Sequence, residues 1–143
     1  MAKMIFVNLP VADLDKALAF YAALGFQRNP AFSNDQVACM VWSDAIFVMI
    51  HSQASWRRFT QAPLPHPGAM AMMLAINLDS RAEVNAMVAV AIANGGAADV
   101  NPPEDHGFMY QRSLADPDGH LWEPFWMDPK AAADGPPDMD QSG

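Results

Sequence analysis

The sequence predicts an α+β domain made of two repeats, each a strand, a helix and a strand pair. At 143 residues, 52% hydrophobic and 17% charged, the chain can hold one cored domain and is too short for two ordinary ones. A helix then follows an apolar strand-like run twice, the first with amphipathic spacing. Each of those helices also opens on a capping side chain and stops at glycine. Identity between the halves is slight, but element order and helix ends recur, which is the mark of an internal duplication.

The first segment, KMIFVNLPV, reads as a buried strand. In ADLDKALAFYAALGF the apolar positions Leu14, Ala17, Leu18, Tyr21 and Leu24 fall on one helical face, with Asp13 as N-cap and Gly25 as the stop. Strands follow over 37–42 and 45–51, turning at Ser43-Asp44. SQASWRRFTQAPLPHPG is a connector with a short helix around Ser55 to Thr60, broken by its prolines.

The pattern then restarts with a strand over 71–78 and a helix capped by Ser80 and ended by Gly95-Gly96. A loop leads to a strand over 108–116, the Asp-Pro-Asp-Gly turn and a last strand over 120–127. Pro117 pre-sets φ in that turn, and Gly119 supplies a positive φ. Each half leaves room for one more strand. One domain is expected over 1–129, with modules at about 1–52 and 69–129 and a connector over 53–68. Residues 130–143, with Pro136-Pro137 and an acidic end, are expected to be a disordered tail.

Net charge is −8, and the eight basic residues never cluster beyond Arg57-Arg58. Nucleic acid and anionic membrane surfaces need basic patches and are not expected as partners. No apolar run reaches membrane-spanning length. The N-terminus lacks a signal-peptide pattern, so a cytoplasmic location is expected. Cys39 is the sole cysteine; it permits no internal disulfide and reads as a small core residue.

VNLPVADLDKALAFYAALGF resembles the opening strand and helix of the vicinal oxygen chelate superfamily, and DPDGHLWEPFW resembles its closing hairpin. That superfamily holds glyoxalase I, extradiol dioxygenases, and bleomycin- and fosfomycin-resistance proteins. The set VNLPV, CMVW, HGFMY and DPDGHLWE is most similar to the group often labelled "predicted lactoylglutathione lyase". The resemblance covers residues 4 to 128. It implies paired βαβββ modules that form a cup-shaped mixed β-sheet with flanking helices around a ligand site, in a homodimer.

In metal-using members four positions supply ligands, and by resemblance they fall on Phe6, Met49, Met73 and Glu123. Only Glu123 suits a hard divalent cation, whereas a catalytic Zn²⁺ or Fe²⁺ usually takes about three protein ligands. The resemblance therefore implies a degenerate metal site and no cofactor. The alternative is a divalent metal (Zn, Ni, Fe or Mn) held by Glu123 and His51.

Side chains alternate along a strand, so Asn8 shares a face with Phe6, and His51 with Met49. Asn8, His51 and Glu123 are thus expected to converge, as a poor metal site or a hydrogen-bond trio. Plain structural roles also suit them: His51 as a strand-end histidine near solvent, Asn8 as an amide satisfying nearby backbone. Phe6, Met49, Met73 and Phe125 are the expected apolar neighbours of Glu123.

That carboxylate can act as a general base if its surroundings raise its pKa, or it can simply pair with Arg112. His106 and Tyr110, on a loop and the strand it enters, can reach the same ligand. His106 reads equally well as a loop residue that holds backbone in place. His120 reads as structural and His66 as a surface residue. Arg57 and Arg58 either cover the cup mouth or form a solvated surface pair.

Two functions follow. One is a metal-independent module that binds a small organic ligand in the cup, supported by four Trp and eight Phe. The other is a lactoylglutathione-lyase-like or extradiol-dioxygenase-type enzyme that uses Glu123 with a metal.

Overall fold

The structure, a computed structural model, describes residues 2–66 and 68–135. The first module is β1 (Ile5–Pro10), α1 (Leu14–Leu24), β2 (Gln27–Asn29), β3 (Val37–Ser43) and β4 (Ile46–His51). Its sheet has the order β1-β4-β3-β2, with β1 parallel to β4 and the other pairs antiparallel. The connector carries α2 (Gln53–Phe59).

The second module is β5 (Met73–Leu78), α3 (Arg81–Ala93), β6 (Ala97–Ala98), β7 (Glu104–Asp105), β8 (Met109–Gln111), β9 (Leu114–Ala115) and β10 (Leu121–Met127). Here β5 lies parallel to β10, while β8 and β9 pair antiparallel with its other side. The opening and closing strands of each half are therefore parallel neighbours, as a βαβββ duplication requires. The one extra strand expected in each half is β2 in the first; the second half has two short ones, β6 and β7.

Both long helices begin as their sequences dictate. Asp13 accepts from the Lys16 amide, and Ser80 accepts from the Glu83 amide. Gly25 then ends α1 at φ 111°, a left-handed conformation that a Cβ would strain. The expected strand over 108–116 is broken at Arg112-Ser113 into β8 and β9. Arg112 turns its amide to Pro124 O there, while Asp99, at φ 53°, holds the guanidinium from outside.

One core joins the two modules. Leu9, Phe20, Tyr21, Val48 and Ile50 from the first pack in a single cluster with Ile76, Val88, Leu114 and Trp122 from the second. Each fully buried aromatic or aliphatic side chain there contributes about 1.5–3 kcal/mol by leaving water. Tyr21, Phe26 and Trp122 meet edge-on with ring centroids 5.4 to 5.9 Å apart. Cys39 is buried as expected, and burial pushes its thiol pKa up.

The tail differs from expectation at its start. Pro129–Asp134 form a short helix, α4, capped by Asp128 and buried at Ala131. Residues 136–143, the rest of that expected tail, lie outside the described residues. Among the described residues no helix is long and apolar enough to cross a membrane.

Candidate functional site

Strand alternation divides each sheet into a core face and a free face. In the first sheet Val7, Leu9, Val48 and Ile50 point inward, so Phe6, Asn8, Phe47, Met49 and His51 share the other side. Phe6 and Phe47 pair in register there and stack at 4.6 Å. In the second sheet Leu74, Ile76, Leu78 and Trp122 turn to the core. Met73, Ala75, Asn77, Glu123 and Phe125 occupy the free face. Each sheet therefore offers half of a cup. Because both core faces meet in one cluster, the two half-cups look away from it.

This arrangement corrects the expected trio. Asn8 and His51 do meet: His51 Nε2 lies 2.8 Å from Asn8 Oδ1. Glu123 stands on the other sheet, and no hydrogen bond joins it to either. Its Oε2 instead accepts from Gln111 Nε2 at 3.0 Å and from Asn101 Nδ2 at 3.4 Å. Among the described residues no protein donor reaches Oε1, and no lysine or arginine pairs with this carboxylate.

Arg112, its expected structural partner, is committed elsewhere. It grips both oxygens of Asp99 at 3.0 and 2.8 Å and reaches Asn85 at 3.1 Å. That ion pair is what lowers the Asp99 pKa.

Asn101 and Gln111 had no role in the sequence reading. Gln111 was legible in principle, since it pairs in register with Phe125 and so shares the face of Glu123. Asn101 was not, because it sits in an irregular loop beside two prolines. The buried Ser113 hydroxyl fixes that loop by accepting from the Asn101 amide and donating to its carbonyl. Asn101 Nδ2 also lies 3.3 Å from Met73 Sδ, so Met73 does neighbour Glu123.

His51 is 3% exposed, not a histidine near solvent. Both ring nitrogens have partners: Asn8 Oδ1 on Nε2 and Ser55 Oγ on Nδ1, at 2.9 Å. A carbonyl oxygen only accepts, so Nε2 carries the proton and Nδ1 takes the Ser55 hydroxyl proton. Trp56 and Phe59 pack edge-on against the ring. Burial holds its pKa below the ordinary value, which favours this neutral form.

Tyr110 faces away from the half-cup, another correction to the expected site. It pairs in register with Trp126, donates to Asn85 on α3 at 2.7 Å and lies under the Arg81 guanidinium. His106 is exposed on its loop, stacks on Phe108 and stands 4.0 Å from Glu104. The neighbouring Asp105 accepts both Arg81 Nη donors, which brings its pKa to about 2. Neither His106 nor Tyr110 is hydrogen-bonded to Glu123. His120 is structural as expected, with Nε2 on the Pro10 carbonyl at 2.7 Å. Arg57 donates to the Ala62 carbonyl and so braces the connector.

The donor chemistry within one chain does not fit a divalent metal. Among Phe6, Met49, Met73 and Glu123 only the carboxylate is a hard donor. His51 has both nitrogens engaged, and the described residues hold no group of three or more His, Cys, Asp or Glu able to hold an ion.

Comparison with known proteins adds a family and a fold. A family model described as Glyoxalase/Bleomycin resistance protein/Dioxygenase superfamily matches residues 3–123. No curated protein matches the chain. A hypothetical protein from S. aureus is similar at TM-score 0.74 and 25% identity, over 88% of this chain and 94% of that one. A glyoxalase/bleomycin resistance protein/dioxygenase family enzyme from Burkholderia phytofirmans PsJN is similar at 0.72 and 20%, over 88% and 99%. The bleomycin resistance determinant encoded on the transposon Tn5 is similar at 0.59 and 21%, over 89% and 99%.

Proposed function

We propose a ligand-binding role for this chain, which belongs to the Glyoxalase/Bleomycin resistance protein/Dioxygenase superfamily. A small organic molecule binds against the free face of the second sheet, with Glu123 as its polar anchor and Met73 and Phe125 as apolar walls. The observation that carries this reading is the state of Glu123. Two amide donors orient one of its oxygens, while no protein donor among the described residues engages the other and no cation neutralises it. A half-buried carboxylate of that kind suits a ligand presenting hydroxyl or N–H donors.

The chain acts as a homodimer, in which the exposed face of Phe6 and Phe47 on one protomer closes over the Glu123 face of the other. Phe6 is 49% exposed and Met73 54%, more apolar surface than a finished cup would leave wet. The metal positions are degenerate, with one hard donor left of four.

The test is a thermal-shift screen of small molecules, followed by calorimetric titration of any hit into the parent and Glu123→Gln. Loss of binding in a variant that melts like the parent supports the anchor; undiminished binding removes it. Elemental analysis of protein prepared without chelator runs alongside. A stoichiometric divalent metal that disappears in Glu123→Ala would transfer the site to the other reading, a lactoylglutathione-lyase-like or extradiol-dioxygenase-type enzyme.

A further inference from the structure

A separate cleft of about 370 Å³ lies between the connector and the 118–120 turn. It shares Asn8 with the expected cup but contains neither Glu123 nor the two residues hydrogen-bonded to it, Asn101 and Gln111. Its volume falls within the range of small-molecule sites, toward the lower end.

Most of the wall is apolar. Trp56 comes from α2, Leu64 from the proline-rich stretch, and Met70 and Met72 from the approach to β5. The two methionines stay 42% and 51% exposed, so this surface is wet without an occupant. Unbranched thioethers also adapt to varied ring shapes.

The opposite wall supplies acceptors. Asp118 spends one oxygen on the Ala12 amide at 2.9 Å and has no ion-pair partner among the described residues. His120 donates from Nε2 to the Pro10 carbonyl, which leaves Nδ1 an acceptor in the neutral ring. Among the described residues no lysine or arginine lines the cleft, and the chain as a whole carries a charge of −8. An anion would meet the uncompensated charge of Asp118 here, with no lysine or arginine among the described lining residues to offset it. A cation with N–H donors meets a carboxylate, an imidazole nitrogen and an indole face.

We propose that this cleft is a second binding site, which takes a small aromatic cation such as an aryl amidine or an arylalkyl amine. The ring lies against Trp56 and the methionines, and the charged nitrogen addresses Asp118. The proposal stands independently of Glu123.

Benzamidine and its nearly isosteric neutral counterpart, benzamide, are suitable probes. Each is titrated into indole-¹⁵N-labelled protein, with the Trp56 resonance assigned from Trp56→Phe. Benzamidine is expected to shift the Trp56 N–H at millimolar concentration and to bind about tenfold more tightly than benzamide, the factor one charged hydrogen bond supplies. Asp118→Asn keeps an oxygen for the Ala12 amide, so the turn is retained; it should abolish that preference. Glu123→Gln should leave the benzamidine shift of Trp56 as it is in the parent. Three results would overturn the proposal: no movement of Trp56, benzamidine binding that survives Asp118→Asn undiminished, or binding lost in Glu123→Gln.

Discussion

Tyr21 Oη donates a 2.6 Å hydrogen bond to Asp116 Oδ2, across 95 residues of sequence, and so ties the helix of one module to the closing hairpin of the other. Trp122 Nε1 donates to the same phenol at 3.0 Å. Asp116 Oδ1 meanwhile accepts the amides of Asp118 and His120, which shapes the turn. Burial raises the pKa of both Tyr21 and Asp116; the Asp116 carboxylate adds to the cost of ionising the phenol, while the Trp122 N–H offsets a part of it. The pair is thus the polar centre of an otherwise apolar joint.

Tyr21→Phe should cost about 1–3 kcal/mol, because it orphans a buried carboxylate oxygen and an indole N–H together. Asp116→Asn should cost less, since an amide can keep the turn bonds and still donate to the phenol. Urea denaturation of the three proteins checks the order; equal stability of Tyr21→Phe and parent would show that the bond carries no weight.

Stability should depend on pH through His51 and Asp116, with opposite signs. His51 has a folded pKa below its unfolded value of about 6.5. The folded chain then binds fewer protons, so this contribution is complete above about pH 6.5 and is lost as pH falls through the folded value. Asp116 has a raised folded pKa; its contribution is complete below about pH 3.9 and is lost as pH rises through the folded value. The His51 part should lower the melting temperature as pH falls below about 6.5, against the opposing trend of Asp116, and His51→Gln should remove that part of the pH dependence. An unaltered slope in that variant would rule His51 out as the source.

Gly96→Ala should destabilise by about 1–3 kcal/mol through overpacking. A Cβ there would stand 2.4 Å from the Ala115 carbonyl and 2.7 Å from the Phe20 ring. No left-handed φ is involved, so the cost is one of space between α3, β9 and α1. Gly119→Ala offers the contrast, being strained at φ 91° with nothing near its Cβ. Thermal melts that rank the two alike, with Gly96→Ala near the parent, would contradict the close approach.

Phe6→Lys should leave the fold intact, losing only the stack on Phe47, about 0.5–1.5 kcal/mol. If the free sheet faces close a homodimer, the variant should sediment as a monomer while the parent sediments at twice that mass. A monomeric parent would remove the dimer from the proposed function.

What the sequence by itself determined was local and periodic. Asp13 and Ser80 as caps, Gly25 as a stop and the core stripe of α1 follow from side-chain geometry within a few residues. The duplication followed from element order alone. Tertiary structure decided which faces meet. Alternation correctly put Asn8 with His51, and Met73 with Glu123, because each pair belongs to one sheet. It could not say that the two core faces would merge around Tyr21 and Trp122, with Glu123 on a different sheet from Asn8 and His51. Period and capping are properties of the backbone. Which apolar face finds which partner depends on how much surface each pairing buries, and no short stretch of sequence encodes that sum.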